Sequence, residues 1–211
     1  MDLFSEQHPD LVSLAEGACW LPGFALPVMA SLWSGLQQHL SSHPPQQMMT
    51  PMGLMSVKTS SMGNWGWVGN ARGYAYSATQ PDTHLPWPAI QQVILKLASE
   101  AARKAGYPDF VPDSCLINVY EPGSKMGLHQ DKEEMDFAQP IVSLSLGIPA
   151  TFLFGGAKRT DKPVKIPLQH GDVVVWGGAS RRFYHGVSQV KTNTHPLVGA
   201  MRINLTLRKA R

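Results

Sequence analysis

The chain has 211 residues, 43% hydrophobic and 16% charged, with a formal net charge of +3, which argues against a disordered chain and suits one globular domain with an N-terminal extension. Two cysteines, Cys19 and Cys115, do not make a disulfide framework and point to a reducing cytoplasm. The opening MDLFSEQHPD lacks a signal-peptide pattern and no apolar run reaches membrane-span length, so no membrane is expected, while the mild basicity permits an anionic partner such as nucleic acid without requiring one.

In chain order, the first forty or so residues are expected to be helical in their second half. Met29, Leu32, Trp33, Leu36 and Leu40 share a stripe that Pro44-Pro45 ends. Met48 to Gly73 is rich in Met and Gly and predicts short strands and mobile loops of the kind that touch ligands. A helix is expected to open at Pro88, burying Ile90, Val93, Ile94, Leu97 and Ala101 and stopping at Gly106 and Pro108. The period then changes to that of strands, in C-L-I-N-V-Y, I-V-S-L-S-L, T-F-L-F, D-V-V-V-W and R-I-N-L-T-L-R. Helices followed by many strands predict an α+β fold around an antiparallel sandwich or jelly roll.

Two of these strands carry an unusual polar face. Arg202, Asn204, Thr206 and Arg208 alternate with Ile203, Leu205 and Leu207, and Asn118 with Tyr120 alternates with Ile117 and Val119. The ordinary reading turns such a face to water. The alternative is a shared cavity that would be costly without an anion, and a small dicarboxylate would satisfy both guanidiniums. Positions six apart lie about 20 Å apart along a strand, so the side chains would have to converge.

L-H-Q-D-K-E-E, Leu128 to Glu134, places a histidine and an aspartate two apart. In extended chain they share a face. Two histidines and a carboxylate form the facial triad of non-haem iron(II) oxygenases, and His129 with Asp131 would supply two of the three. His185, in R-R-F-Y-H-G-V, is the best third ligand. His170 opens a Gly-Asp turn and His195 precedes a proline, which makes both weaker candidates. The ligand types also suit catalytic zinc, and the arginine strand favours iron because it offers a place for an organic acid.

These residues resemble the AlkB family of iron(II)- and 2-oxoglutarate-dependent dioxygenases. The similarity runs from about Met48 to Arg208 and includes G-W-x5-G-Y-x-Y at Trp67, L-I-N-x-Y-x-P-G at Leu116 and L-H-Q-D-K at Leu128. It continues through F-G-G-x-K-R at Phe154, H-G-D-V-V-V-W-G-G at His170 and R-x-N-x-T-x-R at Arg202.

The resemblance implies a double-stranded β-helix, or jelly roll, with flanking N-terminal helices. One dioxygenase domain would span residues 1–211: a helical extension over 1–45, a nucleotide-recognition lid over 46–85, and a helix plus catalytic core over 86–211. It implies Fe(II) on His129, Asp131 and His185, the catalytic set, with 2-oxoglutarate and O2 as co-substrates. Arg202 and Tyr120 would hold the distal carboxylate of 2-oxoglutarate, with Arg208, Asn118 and Asn204 near the other. Trp67 would stack on a flipped base opposite the His129 imidazole, Tyr74 and Tyr76 would lie near the nucleotide backbone, and Arg159 would sit at the base pocket. Glu133 stands where bacterial members have a shorter aspartate, which bears on base preference.

The implied reaction is oxidative demethylation of bases such as 1-methyladenine and 3-methylcytosine, in single- or double-stranded DNA or in RNA, by a monomer, releasing formaldehyde, succinate and CO2. Two alternatives stay open. One is the same chemistry on RNA, protein or a small molecule. The other is a non-catalytic, metal-containing nucleic-acid-binding module.

Overall fold

Strand pairing between distant parts of the chain builds the architecture. A computed structural model describes residues 10–50, 53–70 and 73–211; the first nine residues, Pro51 and Met52 of the expected lid, and Ala71 and Arg72 lie outside them. Strands β1 (Val12–Ala15) and β2 (Ala18–Leu21) pair antiparallel, and helix α1 (Met29–Ser42) follows. β3 (Gln46–Thr50) pairs with β4 (Gly53–Gly63), and β5 (Gly66–Asn70) with β6 (Gly73–Ser77). Helix α2 (Gln92–Lys104) leads to β7 (Ser114–Tyr120) and β8 (Met126–His129). The remaining strands are β9 (Ile141–Gly147), β10 (Ala150–Phe154), β11 (Val164–Leu168), β12 (Val173–Trp176), β13 (His185–Val187) and β14 (Arg202–Arg208).

The strands form an eight-stranded sheet in the order β1-β2-β12-β9-β14-β7-β4-β3 and a four-stranded sheet in the order β11-β10-β13-β8, with β5–β6 a separate ribbon. Two antiparallel sheets with this crossover order are the jelly roll expected from the strand pattern. One apolar cluster fills the space between the large sheet and the two helices, with Leu32, Leu36, Ile94, Ile117, Leu144 and Leu205 at its centre. A second cluster, with Phe152, Phe154, Val174 and Trp176, fills one end of the space between the sheets.

The last strand decides between the two readings of its polar face. All seven residues of β14 are buried, so that face does not meet water. β14 lies between β7 and β9, with Arg202 opposite Tyr120 and Asn204 opposite Asn118. The inner face of the large sheet is therefore polar where β7, β14 and β9 meet.

Three expectations are corrected. The N-terminal extension is not wholly helical, because β1 and β2 extend the large sheet and β2 pairs with β12. The 46–85 stretch is not all lid, because Lys58 to Gly63 of β4 pair with β7 as part of the scaffold. The helix expected from Pro88 starts four residues later, at Gln92. The Pro88 carbonyl accepts the Gly63 N–H at 2.8 Å instead of serving a first helical turn. Among the described residues no helix is long and apolar enough to cross a membrane.

Candidate active site

β8 and β13 bring the expected ligands together. The register sets His185 opposite His129. Gly186 permits this approach: a Cβ there would meet the Met126 carbonyl oxygen at 2.7 Å. Asp131 lies just past the end of β8 and keeps the direction that the two-residue spacing implies. Its carboxylate oxygens are 3.6 Å from His129 Nε2 and 3.8 Å from His185 Nε2. These gaps are too long for hydrogen bonds.

The three side chains can each offer one ligand atom, all within 4.8 Å of one another. His129 Nδ1 lies 2.9 Å from the Gly127 carbonyl oxygen and His185 Nδ1 lies 3.0 Å from that of Phe183. A proton on each Nδ1 leaves each Nε2 lone pair facing Asp131, the arrangement by which backbone carbonyls orient metal-binding histidines. Burial, reinforced by His129, lowers the His185 imidazole to about 4, against the pull of Asp131. Neutral His185 is the form that ligates a metal.

Asp131 is gripped from behind. Burial alone would push its carboxyl up, but Arg208, then His185 and His129, outweigh burial and hold it well below the usual carboxylate range. Arg208 Nε and Nη2 donate to Asp131 Oδ2 at 2.9 and 2.6 Å. So Arg208 is not free to grip a dicarboxylate with its whole fork; only Nη1 remains without a partner.

Arg202 is different. It is buried, its guanidinium carbon lies 4.8 Å from the Tyr120 ring centre, and Nη2 donates to Ser145 Oγ at 3.2 Å. Nη1 has no partner, and no carboxylate salt bridge reaches Arg202 among the described residues. An uncompensated buried charge costs on the order of several kcal/mol, so an anionic ligand fits here. Asn204 Nδ2 donates to Ser143 Oγ and the Leu144 carbonyl, and Asn118 Nδ2 lies 3.4 Å from Asn204 Oδ1.

A cavity of about 590 Å³ joins these parts. Every expected site residue lines it except Tyr76. At its mouth Trp67 and Tyr74 stack, ring centres 4.8 Å apart, with Glu133 and Arg159 also on its wall. Burial raises the Glu133 carboxyl. Tyr76 is buried instead, and its hydroxyl donates to Glu134 Oε1 at 2.6 Å. His170 and His195 stack on each other at 4.1 Å, outside the triad.

The sequence reading missed Glu134, Arg181, Phe152 and Trp176. Phe152 and Trp176 wall the His185 ring at 6.1 and 4.9 Å. Arg181 Nη2 donates to Glu134 Oε2 at 3.0 Å, Nη1 to the Asp131 carbonyl and Nε to the Gln139 carbonyl. Nothing in the spacing of the adjacent charges in K-E-E and R-R marks Glu134 or Arg181 as buried.

The model of the 2OG-Fe(II) oxygenase superfamily matches residues 17–208. The chain is also 49% identical over its full length, and over 98% of the relative, to the alpha-ketoglutarate-dependent dioxygenase AlkB of Escherichia coli strain K12.

The chain belongs to the AlkB family of 2-oxoglutarate- and iron(II)-dependent oxygenases.

An AlkB homolog of Caulobacter vibrioides is 43% identical over 74% of this chain and 70% of that one. The solved structure of OsALKBH1 superposes with a TM-score of 0.81 at 30% identity, covering 94% of this chain and 99% of that one. A family member of this kind is an oxidoreductase that uses Fe(II), 2-oxoglutarate and O2, and the donor set of His129, Asp131 and His185 fits the iron.

Proposed function

We propose that the protein removes N-alkyl groups from bases such as 1-methyladenine and 3-methylcytosine in DNA, as a cytoplasmic monomer acting through one catalytic domain. One observation carries the reading. A His-Asp-His triad and an uncompensated arginine, Arg202, open into a single cavity whose mouth holds a stacked aromatic pair.

In this reading His129, Asp131 and His185 hold Fe(II). Bound iron with 2-oxoglutarate supplies the O2-dependent oxidation that turns an N-methyl group into an N-hydroxymethyl group, with succinate, CO2 and then formaldehyde as products. Arg202 and Tyr120 orient 2-oxoglutarate by its distal carboxylate, through the free Nη1. Asn118 and Asn204 lie along the same polar face. Arg208 keeps Asp131 ionised and fixed. Trp67 stacks on a base taken out of the helix, and Tyr74 extends that platform. A methylated base that carries positive charge gains from the ring face and from the nearby Glu133 carboxylate. Arg159 lies at the same mouth. The walls of Phe152 and Trp176 keep water from the far side of His185.

The decisive experiment is an aerobic assay with Fe(II), ascorbate and 2-oxoglutarate on a 1-methyladenine oligonucleotide, reading base mass and succinate together. Loss of one methyl group coupled to succinate is expected. Succinate without demethylation would refute the substrate assignment, and neither product from iron-loaded protein would refute the catalytic one. RNA is a second reading, because a human relative, 34% identical over 46% of this chain, is named nucleic acid dioxygenase ALKBH1. Competition between methylated DNA and RNA oligonucleotides separates the two.

A further inference from the structure

A closed set of buried contacts joins the aromatic ribbon to the metal ligand. Tyr74 and Tyr76 lie two apart on β6, so they share one face of the ribbon with Trp67, which is opposite Tyr76 in the register. Tyr74 stacks with Trp67 on the cavity side. Tyr76, further along the same face, is buried, and its hydroxyl donates to Glu134 Oε1 at 2.6 Å. The same Glu134 oxygen is 3.4 Å from Arg208 Nε, and Arg208 holds Asp131 Oδ2. The other Glu134 oxygen takes Arg181 Nη2, and Arg181 Nη1 donates to the Asp131 carbonyl. The Glu134 side chain is 1% exposed and those of Arg181 and Arg208 are 3% and 6%. Two guanidiniums thus join the Glu134 carboxylate to Asp131 in a ring, Arg208 through the Asp131 carboxylate and Arg181 through its main-chain carbonyl, and one tyrosine ties that ring to the ribbon.

A second tie runs alongside. The Arg211 guanidinium lies 5.5 Å from the Tyr76 ring centre and 5.6 Å from that of Trp65, and its Nη1 donates to the Glu133 carbonyl at 3.1 Å. Direct contacts therefore join the ribbon, the Glu133 loop and the Asp131 carboxylate.

We propose that Glu134 is a positioning residue that, with Tyr76, couples substrate seating on the aromatic ribbon to the Asp131 carboxylate, so that nucleic acid and metal bind cooperatively. This rests on the proposed nucleic-acid substrate. Binding coupling is reciprocal: the factor by which metal tightens the oligonucleotide equals the factor by which the oligonucleotide tightens metal.

The test uses Mn(II) with 2-oxoglutarate, which binds without turnover, and a 1-methyladenine oligonucleotide, with both affinities measured by calorimetry for each ligand alone and in the presence of the other. Wild type is expected to show a coupling factor of about tenfold, within the usual range for linked sites. Tyr76→Phe removes the tie and keeps the ring; it is expected to bring the factor near one while metal affinity without oligonucleotide stays within about twofold. Glu134→Ala would strand two buried guanidiniums and risk unfolding, so Glu134→Gln is the second variant. Combined with Tyr76→Phe, it should lower coupling no further than either change alone. Hydrogen exchange across β6 should rise on metal removal in wild type and not in Tyr76→Phe. An unchanged coupling factor in both single variants would overturn the inference while leaving the substrate reading intact. Failure of wild type to bind the methylated oligonucleotide would overturn both.

Discussion

Arg208 and Asp131 lie on segments 77 residues apart, yet two guanidinium nitrogens meet one carboxylate oxygen at 2.9 and 2.6 Å. This pairing fixes the ligand oxygen's direction and keeps it ionised in a buried site. Arg208→Lys keeps the charge and loses the fork. It is expected to weaken Fe(II) affinity by about 10- to 100-fold, the usual effect of losing a residue that orients a ligand. Metal titration followed by intrinsic fluorescence reads this directly, and an unchanged affinity would mean that Asp131 is oriented by something else.

Arg202 should behave differently from Arg208. Its free Nη1 points to a co-substrate role. Arg202→Ala is expected to raise the KM for 2-oxoglutarate by about 100-fold, the value of a buried charge pair, with metal affinity much less affected. If instead metal affinity falls and the 2-oxoglutarate KM holds, the two arginines have been assigned the wrong way round.

Trp67→Ala should lower oligonucleotide affinity. Base–aromatic stacking is worth about 1–3 kcal/mol per base, which is about 5- to 150-fold in Kd. 2-Oxoglutarate affinity should not change. Fluorescence anisotropy with a methylated oligonucleotide measures the first and calorimetry the second.

Gly186→Ala tests the close approach of β13 to β8. The added carbon meets the Met126 carbonyl oxygen, and overpacking of this kind costs about 1–3 kcal/mol. Because His185 is the adjacent residue, the strand shift should also move His185 away from His129. The expected signature is a lower unfolding midpoint together with lost metal-induced stabilisation. A lower midpoint with full metal response would separate the strand contact from the ligand geometry.

His39 gives a pH test away from the site. It is 6% exposed, with Nε2 3.0 Å from Ser60 Oγ. Burial, with His43 adding to it, lowers its pKa from 6.5 to about 4. The folded state therefore resists protonation that the unfolded chain accepts. Stability from the neutral ring is whole above 6.5 and is lost as pH falls from 6.5 towards 4. Between pH 7.5 and 5 wild type should lose about 2 kcal/mol more than His39→Gln in urea unfolding. Parallel losses in the two proteins would remove His39 as the cause.

Much of the site was legible because its chemistry follows spacing. His129 and Asp131 share a direction, β14 alternates strictly, and both patterns survive folding unchanged. Alternation gives a face but not a partner, so it showed that Arg202 and Arg208 point the same way without showing that Arg208 meets Asp131. Glu134 and Arg181 sit in irregular chain with no period to read. Tyr76 shares a face with Tyr74, yet it is buried because Glu134 and Arg211, distant in the chain, close over it, and no spacing shows that. The short segments V-S-L-A and A-C-W-L become strands only because β12 offers them an edge, a partner more than 150 residues away.

The position of β14 has a consequence for how the protein is made. It follows every other described strand in the chain, yet it fills the middle of the large sheet. Until it arrives, β7 and β9 hold two open edges towards each other, a state prone to wrong pairing. Arg202 and Arg208 both arrive with that strand. A growing chain can therefore carry its histidines before Arg208 has met Asp131 and before Arg202 has taken its place beside Tyr120.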